Sequence, residues 1–98
     1  MMNVTVKMPV LAKDHSWVRH RLKLHEEHDE LQQAIFGVKD NIGHVAAEAL
    51  DTIQVCIGIL DKVEEEVPGM VKKEIFNHNR KLLERGWKVK KVIQITED

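Results

Sequence analysis

Residues 42–66 read IGHVAAEALDTIQVCIGILDKVEEE, and this stretch decides the fold. Ile42, Val45, Ala46, Ala49, Ile53, Cys56, Ile57, Leu60 and Val63 recur at threes and fours, the period of an α-helix. Ala47, Leu50, Val55 and Ile59 widen that stripe until the middle is apolar nearly all round. Such a pattern predicts a helix covered on most sides. A chain of 98 residues has little else to cover it with, so part of this surface is expected to face another subunit. Glu48, Asp51, Thr52 and Gln54 interrupt the run, which is therefore read as a core helix and not a transmembrane one. Glu64, Glu65 and Glu66, ahead of Pro68, read as a solvated helix end that serves solubility.

The flanking segments complete an all-α plan. A first helix is expected from an N-cap at Asp14 or Ser16 to about Phe36, with Trp17, Leu24, Leu31 and Ile35 as its apolar stripe. Residues Gly37 to Asn41 form a turn, with Asp40 or Asn41 capping the next helix. After Pro68-Gly69 a third helix is expected from about Met70 to Glu84, ended by Gly86. Val4-Thr5-Val6 and the tail from Trp87 to Thr96 are β-prone, so a short strand pair between the two ends is plausible. The expectation is one domain over residues 1–98, a helical hairpin plus a third helix, with the bundle completed by oligomerisation.

Composition narrows the class. Fifteen Lys plus Arg against sixteen Asp plus Glu give a formal net charge of -1, which argues against a dedicated nucleic-acid or membrane-surface protein. Lys88, Lys90 and Lys91 beside Trp87 are too few to change that reading. The single cysteine, Cys56, excludes an internal disulfide framework and reads as a buried, reduced thiol. The segment from Met1 to Lys7 does not read as a signal peptide. A cytoplasmic location follows as the expectation.

The acids carry the functional signal. Glu27 and Glu30 are three apart on the first helix, with Glu26 flanking Glu30 at four; Glu48 and Asp51 are three apart on the second. Position 39 lies midway between Glu27 and Asp51, and also midway between Glu30 and Glu48. An antiparallel hairpin turning at Lys39 would set Glu27 level with Asp51 and Glu30 level with Glu48. Four carboxylates converging inside an apolar segment repel one another unless a cation sits among them. All-oxygen ligands select a hard ion, Mg²⁺ or Mn²⁺. The alternative is surface acids paired with Lys or Arg.

Glu26-Glu27-x-x-Glu30, then seventeen residues, then Glu48-x-x-Asp51, resembles the signature of the MazG-like all-α NTP pyrophosphohydrolases, which include dimeric dUTPases and phosphoribosyl-ATP pyrophosphohydrolases. Glu30-Leu31-x-x-Ala34, Asp51-Thr52-Ile53-Gln54-Val55 and Asn79-Arg80-Lys81-Leu82-Leu83-Glu84-Arg85 extend the resemblance over roughly positions 17 to 87. It implies Mg²⁺-dependent hydrolysis of a nucleoside triphosphate between the α and β phosphates, giving the monophosphate and pyrophosphate. By motif position, Glu27, Glu30, Glu48 and Asp51 would hold the metal, and Glu26 and Glu27 would be the catalytic carboxylates. Asn79, Lys81 and Arg85 would bind the phosphates. His28 and Asp29 stand where the family often has a small residue, which bears on the shape of the substrate pocket. A homodimer or homotetramer is implied.

Other residues are read as follows. His25 and His28, three apart, allow a two-histidine metal site, but structural zinc wants four ligands and the one thiol is remote. His44, one turn before Glu48, is a candidate to orient it. Trp17, Phe36, Phe76 and Trp87 read as packing residues before base-stacking ones. The competing functional class is a non-enzymatic helical module that self-associates through the second helix.

Overall fold

The computed structural model describes residues 4–11, 15–39 and 41–96. Helix α1 spans Trp17–Phe36, α2 spans Ile42–Glu66 and α3 spans Met70–Glu84, while strand β1 is Val4–Lys7 and β2 is Ile93–Thr96. The fold is all-α, with α1 packed on α2. The chain divides into two compact units: Val10–Lys62, and the terminal segments together with the chain from Val63 onward.

In the first unit, local chemistry fixes the helix ends. Ser16 caps α1, its hydroxyl oxygen accepting the Arg19 amide at 3.1 Å. Asn41 Oδ1 accepts the His44 amide at 3.0 Å and so caps α2, satisfying a donor that would otherwise lack an intrahelical partner. Asp14 and Asp40, the alternative caps, lie outside the described residues.

The hairpin turns about Lys39, as the spacing of the acids predicts. Positions 20 and 58 are equidistant from 39, and a Cβ added at Gly58 would stand 3.1 Å from His20 Cε1. Lys62 Nζ lies 5.1 Å from the Trp17 ring centroid, a cation–π contact between positions that straddle the same midpoint within half a residue. The open end of the hairpin thus keeps the same register as the acids.

The first apolar stripe is a correction. Trp17, Leu24 and Ile35 are exposed, and the buried residues of α1 are His20, Glu27 and Ala34. These are spaced at sevens, like Trp17, Leu24 and Leu31, but offset by three residues, which turns the helix by about 60°. A polar pair therefore faces α2 where apolar contact was expected. Cys56 is a second correction: it is exposed. It belongs to a row on α2, Ile42, Ala46, Leu50, Ile53, Cys56 and Leu60, that α1 does not reach and that stays exposed. Val55, on the side toward α1, is the one buried residue of α2. By length and composition α2 could also cross a membrane.

In the second unit, β1 and β2 pair in parallel, Val4 opposite Ile93 and Lys7 opposite Thr96, so the expected terminal strand pair is present. Helix α3 ends as Gly86 requires. Gly86 adopts φ 81°, and its amide and that of Trp87 donate to the Leu83 and Leu82 carbonyls at 3.0 and 3.1 Å, closing the helix in a Schellman motif. The reading of Glu64 as merely solvated is also corrected. Its carboxylate accepts the amides of Gly69 at 2.7 Å and Val71 at 3.2 Å, and so caps the start of α3 with a negative charge at the positive end of the helix dipole. Glu64→Ala is expected to destabilise the fold by about 1 kcal/mol, with Glu64→Gln intermediate; urea unfolding of the two variants checks the order.

Candidate metal centre

Glu27 is the hub of the acid cluster. One carboxylate oxygen each from Glu27, Glu48 and Asp51 lie within 4.8 Å of one another, and so do oxygens from Glu26, Glu27 and Glu30. The i, i+3 spacing sets each helix's pair on one face, and the hairpin register brings the two faces together. Glu27 is only 5% exposed. Lys23, one turn earlier, places its ammonium 3.1 Å from Glu27 Oε1 and 3.3 Å from Glu26 Oε1. The other oxygen, Glu27 Oε2, is buried without a hydrogen-bond partner, and so is Glu48 Oε2. A buried carboxylate oxygen with no donor costs of the order of several kcal/mol of lost solvation. Two of them, from facing helices in one carboxylate group, are the atoms a hard cation would satisfy.

The charges act on one another. The Glu30 carboxyl is held above its ordinary value by partial desolvation, then by the charge of Glu27 and its hydrogen bond with Glu27, then by the charges of Glu48 and Glu26. Lys23 is raised by its hydrogen bonds to Glu27 and Glu26, so it stays cationic through the neutral range. For Glu30 the sign follows from linkage. Its folded form binds the proton more tightly than the unfolded chain does, so the stability this adds is present below the ordinary carboxylate range and lost as pH rises through the raised value. A cation at the cluster needs the deprotonated form. Were Mg²⁺ bound there, the stabilisation it gives would begin to fade, on acidification, at a higher pH than for an ordinary carboxylate site. Melting temperatures with and without Mg²⁺, from about pH 8 down to about pH 4, check this. Glu30→Gln should move the fade to lower pH.

Of the residues singled out in the sequence, the five acids come together, in two overlapping groups that share Glu27. Glu26 is exposed and paired with Lys23, the surface-acid alternative realised at that one position. Asp51 is exposed but reaches the Glu27–Glu48 group. Asn79, Lys81 and Arg85 are exposed on α3, in the other unit. His25 and His28 both lie near Asp29, at 3.5 and 3.7 Å, on exposed positions. His44 Nδ1 stands 3.9 Å from Glu48 Oε1, within reach of an ion pair if protonated but beyond a hydrogen bond. Lys23 was not singled out, although its spacing of three and four before Glu26 and Glu27 is a readable ion-pair signal.

Compared with protein-family models, with curated proteins and with solved structures, the chain matches none.

Proposed function

We propose that the chain is a Mg²⁺-dependent nucleoside triphosphate pyrophosphohydrolase that cleaves between the α and β phosphates and works in the cytoplasm as a homodimer or homotetramer. The observation that carries this is the pair of buried, unpartnered oxygens of Glu27 and Glu48 within a register-matched group of carboxylates. The acid motif's resemblance to MazG-like enzymes supports it. Glu27, Glu30, Glu48 and Asp51 would hold the ion, a donor set of carboxylates that suits Mg²⁺ or Mn²⁺. When bound, the ion supplies charge neutralisation of the phosphates and a more acidic water. Glu26, exposed at the rim of the cluster, would be the carboxylate not committed to the ion, the kind of group that general-base catalysis needs. Lys23 keeps its charge beside Glu26 and Glu27 and limits their mutual repulsion. Lys81 and Arg85, four apart on α3, would meet phosphate oxygens, with Asn79 adding a hydrogen bond.

Pyrophosphate release across a panel of ribo- and deoxynucleoside triphosphates, with Mg²⁺ or Mn²⁺, tests the proposal. Release with at least one nucleotide, lost in Glu48→Gln, is expected. No release with any nucleotide, or undiminished release from Glu48→Gln, overturns it.

A second reading has its own observation. The exposed apolar row from Ile42 to Leu60 fits a non-enzymatic module that self-associates through α2. That reading predicts no change in melting temperature with Mg²⁺, and alanine substitutions at Glu27, Glu30, Glu48 and Asp51 that are harmless or stabilising.

A further inference from the structure

The even charge of the chain conceals a segregation. Residues 70–91 carry eight Lys and Arg against two acids, Glu74 and Glu84, a formal +6, while the rest of the chain carries seven Lys and Arg against fourteen acids. All eight cations are exposed. Of the eight, only Arg80 has an ion-pair partner among the described residues, Glu84 at 3.6 Å. We propose that α3 docks on an anionic lipid surface, lying in the plane of the headgroups with Ile75, Phe76 and Leu83 turned into the acyl boundary. The inference stands whether or not the chain hydrolyses nucleotides.

The arrangement around the helix comes first. Of the three helices, α3 is the most amphipathic. Val71, Ile75, Phe76, Leu82 and Leu83 fall within an arc of about 140°. Ile75, Phe76 and Leu83 are exposed, Phe76 to 66% and Leu83 to 67%. Lys72 lies inside that arc with Asn79; its methylene stem can cover apolar surface while the ammonium reaches the headgroups. Lys73 and Arg80 stand just outside one border of the arc, and Arg85 outside the other. Glu74 and Glu84 fall on the opposite side. With cations at the borders and acids turned away, an interfacial helix meets a negatively charged leaflet without repulsion. Exposed Trp87 follows α3 directly, and then Lys88, Lys90 and Lys91. A tryptophan among lysines suits the headgroup level, where one part of the side chain is wet and the other apolar.

Other occupants fit this face less well. A second copy paired about a two-fold axis would bring Lys72, and the bordering Lys73 and Arg80, toward the same residues of its partner, like charge on like. A nucleic acid would engage the cations and stack on aromatic faces, which leaves Ile75 and Leu83 in water. An anionic leaflet uses both features. The apolar side chains leave water for the acyl boundary, and each cation near the surface is drawn by the negative potential of the headgroups.

Co-sedimentation of the whole chain with vesicles tests this, using phosphatidylcholine alone or with about one third phosphatidylserine. Wild type is expected to pellet with the anionic vesicles and to stay in solution with the zwitterionic ones, and added salt should weaken the binding. The double variants Phe76→Ser with Leu83→Ser, and Lys72→Glu with Lys73→Glu, should each partition at least about tenfold more weakly. All four positions are exposed, so the helices should survive, which circular dichroism checks. Leu22→Ser, exposed on α1, should bind as wild type does. No pelleting with anionic vesicles overturns the inference, and so does pelleting that both double variants keep. Loss in only one of the two means that charge or apolar contact acts alone, and overturns it too. Two further results, each without vesicle binding, would reassign the face and overturn the lipid assignment. Retention of a single-stranded oligonucleotide would give it to nucleic acid; a smaller species on sedimentation of the Phe76→Ser, Leu83→Ser variant would give it to a second copy.

Discussion

Glu27→Gln is expected to abolish pyrophosphate release while raising the melting temperature of the metal-free protein. The two effects have one cause. Glu27 is the buried member of both carboxylate groups, and its Oε2 has no donor in the metal-free fold. Replacing one oxygen by an amide removes a charge that Glu26, Glu30, Glu48 and Asp51 repel, at the loss of part of the Lys23 ion pair. Lys23 is half exposed and keeps its contact with Glu26, so its charge is not left buried and alone. The net gain is of the order of 1 kcal/mol, or about 4–8 °C in a domain of this size. The same substitution removes the hub ligand. Wild-type protein at Mg²⁺ a hundredfold above its dissociation constant should gain about 2.7 kcal/mol from binding; Glu27→Gln should gain almost none. kcat/KM should fall by at least about 100-fold. Thermal melts with and without Mg²⁺ and a release assay give all three readouts. A metal-free variant less stable than wild type, yet still stabilised by Mg²⁺, would mean the carboxylate serves the fold and not a cation.

How much of this was legible in the sequence depends on what carried the signal. Helix ends were, because Ser16, Asn41 and Gly86 act through local geometry that needs no knowledge of the rest of the fold. So was the hairpin register, because the acids are placed symmetrically about Lys39 and only one turn position satisfies both pairs. The rotation of α1 was not. Apolar periodicity picks out Trp17, Leu24 and Leu31, yet the face turned to α2 carries His20 and Glu27, and nothing in a period distinguishes two stripes only 60° apart. Burial of polar groups on this face is where the local rule of apolar periodicity gives way to tertiary packing. Lys23 carries no metal signal of its own, and only its spacing of three and four before Glu26 and Glu27 marks it. Glu64 was misread because a run of three glutamates looks solvated until the loop at Pro68-Gly69 brings two amides onto one of them. Cys56 was placed inside because α2 is apolar all round, and which part of it α1 covers is a tertiary fact.

That uncovered part leads to the second large effect. Ile42 is 71% exposed, Leu50 49%, Ile53 39% and Leu60 47%, a continuous row at helical spacing. Covering what remains exposed of each contributes about 1 kcal/mol. In a two-fold pairing of α2 with its copy every residue counts twice, so the row supplies about 8 kcal/mol against an association cost of several kcal/mol. The proposed oligomer would then be one that a single charge can break. Ile53→Arg, at the middle of the row, would place two guanidinium groups near the axis without partners and forfeit two apolar contacts. A loss of about 3 kcal/mol or more corresponds to at least a hundredfold weaker association. Sedimentation at micromolar concentration should show wild type as the larger species and Ile53→Arg as monomer. Val18→Arg, 61% exposed on α1 and off this row, should leave the assembly intact. If both variants sediment with wild type, the row is not the interface. If only Ile53→Arg falls apart and loses its activity with it, the covered α2 face is part of the working enzyme. If it falls apart and still releases pyrophosphate, the hairpin alone carries the chemistry.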